Sequence, residues 1–233
     1  GIVTEGWDPI LGWRSPNYVY KPKGAANSRL LLKNYRLSDD VAFRFSSRDW
    51  SEWPLTAEKF GRWIGEAEGD TVNLFMDYET FGEHQWEDTG IFKFLEALPQ
   101  ELAKNPGLDF KTPSEVIHSY DVKDEVDIPH ILTWADTDRD LTAWVGNPMQ
   151  KAAIEALYSL EDEVVLGNDR RLLEDWRKLQ TSDHFYYMCT KWFQDGDVHA
   201  YFSPYESPYD AYIAYMNALS DLRLRVGKRV STA

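Results

Sequence analysis

Residues 71–86 have the sequence Thr-Val-Asn-Leu-Phe-Met-Asp-Tyr-Glu-Thr-Phe-Gly-Glu-His-Gln-Trp, and this stretch decides the fold that we predict. Its apolar start predicts a strand at 71–76. Successive strand side chains point to opposite faces. One face is therefore apolar and should pack under helices: it holds Val72, Leu74, Met76 and Tyr78. The other face turns acidic at the strand's end, at Asp77 and Glu79.

The residues before this stretch predict strands that alternate with a helix. Short apolar runs at 2–4 and within 29–33 predict two earlier strands, and a third apolar run follows at 41–45. A helix is predicted from Thr56, a plausible N-cap, to residue 68. Its apolar face would hold Phe60, Trp63 and Ile64. Alternation of this kind is typical of parallel strands in an α/β fold.

The residues after position 88 have a helical pattern. We predict helices that begin at Ile91, near Thr112-Pro113, at Asn147-Pro148, at Asp169 and near Ser207-Pro208. The helix from Ile91 should bury Ile91, Phe94, Leu95 and Leu98, and the one from Asp169 should continue to about residue 190. We therefore predict an α/β domain at 1–88 and a mainly helical subdomain at 89–233.

Composition limits the possible partners. The formal charge of −14 repels the phosphates of nucleic acids, so a DNA or RNA partner is not expected. No apolar stretch is long enough to cross a membrane, and a single cysteine, Cys189, excludes an internal disulfide. A cytoplasmic location fits these features. The 10 Trp, 13 Tyr and 11 Phe fit either stacking on sugar rings or a large packed core.

Asp77 and Glu79 are the strongest candidates for chemistry. Active sites of α/β barrels lie at the C-terminal ends of the strands, where we place both residues. Two ionised carboxylates so close repel each other, which favours a proton on one of them, as a general acid requires. Gly82 would allow a sharp turn, and Phe81, His84 and Trp86 would line the mouth. The alternative is that Asp77 caps a following helix and Glu79 is merely exposed.

The segment Asp-Tyr-Glu-Thr-Phe-Gly at 77–82 resembles the fourth conserved region of glycoside hydrolase family 57. In that family the Asp of this pattern is the general acid/base, which implies this role for Asp77. Further segments are similar to the α-amylase-like members of the family, and they occur in the expected order. These segments are 4–6, 14–18, 34–40, 133–136, 146–150 and 179–187.

The resemblance implies the last strands of an incomplete seven-stranded (β/α) barrel, followed by helices that cover the barrel and its cleft. It implies retaining hydrolysis of α-1,4-glucans without a cofactor or metal, with Asp77 donating the proton. The residues implied to contact sugar are Glu5, Asp40, Glu79, Phe81, His84, Trp134, Asp183 and His184.

One departure from the family pattern concerns the nucleophile. Family members begin with a His-Gln-Pro region, and their nucleophilic Glu lies in a third region, which we expect before the first strand of this chain. Neither region is found here, and the chain starts at Gly1 without an initiating Met. A retaining mechanism needs two carboxyl groups. We therefore expect a fragment that is nearly inactive alone and that a missing N-terminal segment would complete.

Several weaker signals have more than one interpretation. The loop Asp136–Asp140 resembles the start of a calcium site but has Leu141 in place of Gly and Asn147 in place of the closing Glu, so a solvated loop is favoured. The Asp195–His199 segment is more typical of a hydrogen-bonded turn than of a metal site. The set formed by Arg36, Asp39, Asp40 and Arg44 would brace the site or contact sugar. Trp134 would be a stacking platform or a core residue, and Cys189 a small buried hydrophobe.

Three other functions remain open. One is a non-catalytic protein that binds α-glucans or regulates their metabolism. Another is a 4-α-glucanotransferase or branching enzyme on the same scaffold. The third is a metal-dependent hydrolase that would use the Asp and His sets, and chelator would inactivate such an enzyme.

Overall fold

The computed structural model describes residues 1–136, 138–191 and 203–230, with side chains up to residue 228. The chain forms two compact units, Gly1–His130 and Ile131–Ala233. The division along the chain follows His130 and not residue 88, because the helices at 91–102 and 113–119 belong to the first unit. Each unit is described by itself.

The first unit contains a sheet, five α-helices and two short 3-10 helices. In chain order they are β1 (Ile2–Glu5), α1 (Asp8–Leu11), β2 (Val19–Pro22), β3 (Leu30–Lys33), α2 (Tyr35–Ala42), α3 (Ala57–Glu66), the 3-10 helices Tyr78–Thr80 and Glu87–Thr89, α4 (Ile91–Leu102), α5 (Pro113–Ser119) and β4 (Asp124–Val126).

The four strands form one mixed sheet in the order β1-β3-β2-β4. β1 and β3 are parallel, with Glu5 opposite Lys33, which confirms both predicted strands and their direction. β2 runs antiparallel to β3 and parallel to β4. All four residues of β3 are buried, as expected for a central strand covered on both faces. The α/β class is therefore confirmed, and the sheet is mixed.

Two predicted strands are wrong. The run at 41–45 includes the last turn of α2, whose N-cap Asn34 accepts a hydrogen bond from Leu37 N and so fixes a helix here. Residues 71–76 belong to no strand. Thr71 N donates to Asn17 O, Asn73 O accepts from Asn34 N, and Phe75 N donates to Ser38 Oγ, so these groups do not pair with a neighbouring strand. β2 and β4 were not predicted, since each is short and β2 ends in Pro22.

Three helices of the first unit, α3, α4 and α5, form where the sequence predicts them, whereas α1 and α2 were not predicted. Thr56 caps α3 by accepting a hydrogen bond from Lys59 N, and Phe60 and Ile64 are buried. Phe60 and Phe94 pack edge to face with ring centroids 5.7 Å apart, which joins α3 to α4. The predicted burial of Leu95 is wrong, because its side chain is exposed.

The described part of the second unit is helical. Its elements are α6 (Thr142–Val145), α7 (Pro148–Tyr158), α8 (Glu161–Leu166), α9 (Arg170–Lys178), α10 (Ser182–Tyr186) and α11 (Pro208–Val230). The helix predicted from Asp169 to residue 190 is thus two helices. Gln150 is fully buried, and its Nε2 donates hydrogen bonds to the carbonyls of Ala143 and Phe185, which ties α7 to its neighbours. None of the described helices combines the length and apolar character needed to span a membrane.

Candidate active site

Asp77 follows residues 71–76, which are held by hydrogen bonds outside any strand ladder. Asn34 N, just after β3, donates a hydrogen bond of 2.8 Å to Asn73 O. Asn73 Nδ2 returns one of 3.1 Å to Leu32 O. Phe75 N donates to Ser38 Oγ at 3.2 Å, and the Ser38 side chain is wholly buried. These bonds join Asn73 to the carboxyl end of β3 and Phe75 to α2.

The apolar side chains of this segment hold it against the helices of the first unit. Val72, Leu74 and Met76 pack against the core formed by α2, α3 and α4, which confirms the predicted alternation. Tyr78 does not follow this pattern, since its side chain is 96% exposed. The 3-10 helix that begins at Tyr78 changes the backbone period from two, so the next apolar side chain no longer points inward.

The side chain of Asp77 is exposed and does not cap the helix that follows. Asp77 occupies the N-cap position of the 3-10 helix Tyr78–Thr80, but only its backbone carbonyl takes part, accepting a hydrogen bond from Thr80 N at 3.1 Å. The capping alternative for Asp77 is therefore wrong. Its carboxyl group is accessible, at the end of a backbone that the core holds in place.

The loop after Asp77 folds back tightly. Glu79 O accepts hydrogen bonds from Glu83 N and His84 N at 3.1 and 2.9 Å, and Gly82 adopts φ +124°, a conformation that favours glycine. Gln85 is buried, and its Nε2 donates to Ala42 O at 3.0 Å, which fastens the loop to the end of α2. The loop is thus a fixed element beside Asp77.

The predicted sugar contacts in this loop differ in exposure. The Glu79 side chain is exposed, His84 is half-buried, and Trp86 is 59% exposed. Phe81 packs against the core of α3 and α4 with part of its ring. The sequence analysis placed this loop beside Asp77. It did not predict that the ring of Tyr78 is exposed.

Glu5 lies at the carboxyl end of β1 and is only 4% exposed. Its Oε1 accepts a hydrogen bond of 3.0 Å from Gly6 N, and its Oε2 lies 3.7 Å from Lys33 Nζ. The same Nζ lies 3.6 Å from Asp39 Oδ1 of α2. The sequence analysis singled out Glu5 as a sugar contact and Asp39 as part of a charged set, but it missed Lys33 and the burial of the group, because the three charges come from three elements.

We expect Gly6→Ala to destabilise the first unit. A Cβ at residue 6 would lie 2.2 Å from the backbone O of Lys33, so β1 and β3 would have to separate. The expected loss is about 1–3 kcal/mol, measured as a lower midpoint of thermal or urea unfolding. The matched control is Gly61→Ala inside α3, where the new Cβ makes only ordinary contacts of 3.7 Å or more and should not destabilise. Equal midpoints for the two variants would contradict this prediction.

The predicted charged set after β3 divides into separate pairs. Arg44 Nε donates to Asp40 Oδ1 at 2.6 Å, and Arg36 Nη2 pairs with Asp8 at 2.8 Å on the surface. Asp40 is half-buried, and this burial raises the pKa of its carboxyl, which the hydrogen bond to Arg44 offsets only in part. Asp40 thus braces α2, while Asp39 faces Lys33.

The candidates of the second unit lie on α10 and in the loop before α6. Asp183 is exposed, and the His184 ring lies 5.5 Å from that of Tyr215. Trp134 is exposed, which removes the core alternative for it. Cys189 is buried, as predicted. The predicted approach of Asp183, His184 and Trp134 to Asp77 stays a prediction.

The acidic loop at 136–140 is occupied by a lysine of the same unit. Lys191 Nζ lies 3.0 Å from Asp136 Oδ2 and 2.5 Å from Asp138 Oδ2. Burial acts to lower the pKa of Lys191, but the hydrogen bonds to these carboxylates outweigh it and the pKa lies above its usual value. Asp140 binds Thr142 instead. The solvated-loop prediction is therefore corrected to an ion-paired loop.

The described residues contain no group of three or more His, Cys, Asp or Glu side chains that would hold a metal. The predicted alternative at Asp195–His199 lies outside the described residues. A metal-dependent hydrolase therefore has no candidate centre within the part of the chain that the structure describes.

Comparison with known proteins gives two matches. The profile of Glycosyl hydrolase family 57 matches residues 1–129, more than half of the chain. A protein of Methanocaldococcus jannaschii named "Putative alpha-amylase" is 45% identical over 231 residues. The match covers 94% of this chain and 49% of that relative. The chain thus spans about half the length of this relative, and no solved structure matches it significantly. The chain belongs to glycosyl hydrolase family 57, as the segment at 77–82 predicted.

Proposed function

We propose that the protein containing this chain is a retaining glycoside hydrolase that cleaves α-1,4-glucosidic bonds in starch- or glycogen-like glucans. Asp77 would protonate the leaving glycosidic oxygen and then act as base towards water. The observation that carries the proposal is the Asp77 carboxyl, which is exposed and unused as a cap at the end of a rigidly held segment. Family membership and the name of the relative support a glycosidase.

Retention requires a second carboxyl group. We propose that the nucleophilic Glu belongs to a segment of the same protein outside this chain, as the resemblance to the family implies. Glu5 is unsuited to the role, because its side chain is buried and its carboxylate oxygens face Gly6 N and Lys33 Nζ. The proposal requires the nucleophile and Asp77 to approach to about 5–5.5 Å in the complete site.

We further propose that the sheet is part of an incomplete barrel that extends beyond β1. β1 is at the edge of the described sheet, and its apolar residues Ile2 and Val3 are 45% and 51% exposed. An apolar strand edge of this kind is usually paired or covered. A preceding segment of the same protein is the partner that we propose, and it would complete the cleft for the glucan.

Incubation with maltoheptaose tests the proposed reaction. We expect the complete gene product to release shorter maltooligosaccharides whose new reducing ends are first α-anomers, observed by chromatography and by proton NMR. The 233-residue chain alone should give little turnover, because much of the cleft would be absent. Release of β-anomers first would contradict retention.

The same products distinguish the alternatives. Longer oligosaccharides would indicate 4-α-glucanotransfer, and new α-1,6 links would indicate branching. Retarded migration in a glycogen-containing native gel, with no turnover by the complete protein, would indicate a non-catalytic glucan-binding protein. Inactivation by chelator would favour the metal-dependent alternative.

A further inference from the structure

We propose that the ring of Tyr78 is a platform on which one glucose unit of an α-glucan stacks, beside the bond that Asp77 protonates. The inference rests on the proposed function, because it takes Asp77 to be the proton donor. It assigns a task to an exposed ring that proton transfer by Asp77 does not use.

The ring of Tyr78 is exposed although the side chains that precede it on the same face are packed. Val72, Leu74 and Met76 lie against the core of α2, α3 and α4, whereas the side chain of Tyr78 is almost wholly in water. Among the residues that the structure describes, no other large hydrophobic side chain is as exposed. The ring therefore leaves a large apolar surface free for a ligand to cover.

The backbone that carries the ring is fixed on both sides. Phe81 N donates to Tyr78 O at 3.1 Å, which closes the 3-10 turn. Thr80 of the same turn is buried, and its carbonyl accepts a hydrogen bond of 3.0 Å from Gln85 N. Gln85 in turn bonds to Ala42 O through its side chain. A platform that is ordered before the ligand arrives costs little conformational entropy on binding.

The position beside Asp77 favours a neutral sugar as the occupant. Consecutive Cα atoms lie about 3.8 Å apart, so the ring reaches a sugar unit bound within reach of the Asp77 carboxyl. The carboxyl groups of Asp77 and Glu79 flank the ring and are both exposed. Ionised carboxylates repel an anion and accept hydrogen bonds from hydroxyl groups. A sugar presents both an apolar C–H face for the ring and hydroxyl groups for these oxygens.

The loop that begins at Asp77 carries a second exposed ring. Trp86, at the other end of this loop, is also exposed. Two rings on one tightly folded loop suit a ligand made of several linked sugar units better than a single small molecule. The other possible occupant is a segment of the same protein outside this chain, and a ring buried by such a segment would act on stability and not on affinity for glucan.

The test uses the complete gene product with Tyr78→Ala and Tyr78→Phe, assayed on maltoheptaose. We expect Y78A to raise KM about 5- to 30-fold and to change kcat by no more than about threefold, because stacking holds the substrate and the transition state alike. Y78F keeps the ring, so its KM should stay within about threefold of the wild type. An unchanged KM in Y78A would overturn the inference.

Calorimetry measures binding without turnover. In the D77N background, the addition of Y78A should raise the Kd for maltoheptaose by the same factor as it raises KM. The matched control is Phe110→Ala, since Phe110 is an exposed ring of the first unit outside the loop. F110A should leave KM unchanged, and equal increases in F110A and Y78A would overturn the inference. So would a lower melting temperature of Y78A with unchanged KM and Kd, because the ring would then pack against another part of the protein.

The design separates this inference from the proposed function. If the wild-type protein does not cleave α-glucans, the proposed function fails, and calorimetry of the wild type beside Y78A still decides whether the ring binds glucan. Absence of glucan binding by the wild type would overturn both. If the wild type is active and D77N is not, but Y78A leaves KM and Kd unchanged, only the inference is overturned.

Discussion

Replacing Asp77 by asparagine is expected to lower kcat on maltooligosaccharides by about 10²- to 10⁴-fold in the complete protein. The amide has the same shape as the carboxyl but cannot donate the proton that the leaving oxygen needs. Because the Asp77 side chain is exposed and forms no cap, the melting temperature should stay within about 1–2 °C of the wild type. The measurement is initial rates on maltoheptaose beside a thermal unfolding curve.

A substrate with a good leaving group sharpens this test. An α-maltosyl fluoride needs no proton to release fluoride, so D77N should form the glycosyl-enzyme at a rate much closer to that of the wild type. The matched control is Glu79→Gln, two residues away and also exposed, which should lower kcat by no more than about tenfold. Equal losses in D77N and E79Q would contradict the role of Asp77, because the effect would then be one of local charge.

Local sequence signals predicted where α3, α4, α5, α7, α9 and α11 begin, because several of these starts are fixed by nearby capping residues. Thr112 and Asn147 each form a capping box with the residue three positions on, and both were expected as helix starts. The parallel pair β1 and β3 was also predictable, because two apolar runs are separated by more chain than a simple hairpin needs. These elements give the α/β class.

The parts that were wrong depend on distant contacts. Residues 71–76 have a strand pattern, but their partners are the backbones of Asn34 and Asn17 and the side chain of Ser38, and no local pattern indicates such distant partners. β2 lies between β3 and β4 although it ends in Pro22. In these cases tertiary hydrogen bonds decide the structure over the local propensity.

The candidate site was predictable only in part. Asp77 follows an apolar run, so its position at the end of that run, next to a loop, could be expected. The contact of Lys33 with Glu5 joins residues that are far apart in sequence, and only pairing of β1 with β3 reveals it. A usable signal was present, because each strand ends in a charged residue directly after apolar ones, and such charges need partners when buried.

Replacing Glu5 by glutamine is expected to destabilise the first unit by about 1–3 kcal/mol. Glutamine keeps the shape of the side chain, but the buried ammonium of Lys33, whose Nζ lies 3.7 Å from Glu5 Oε2, loses a carboxylate partner. The measurement is the midpoint of thermal or urea unfolding of E5Q beside that of the wild type.

The double variant E5Q/K33M is the matched control. It removes both charges of the pair and should recover part of the lost stability, because buried ion pairs often change stability little when both partners are replaced. Asp39 Oδ1, which lies 3.6 Å from Lys33 Nζ, loses its cation in this variant, so the recovery should be incomplete. Equal midpoints for E5Q and the wild type would contradict a stabilising role of the Glu5–Lys33 pair.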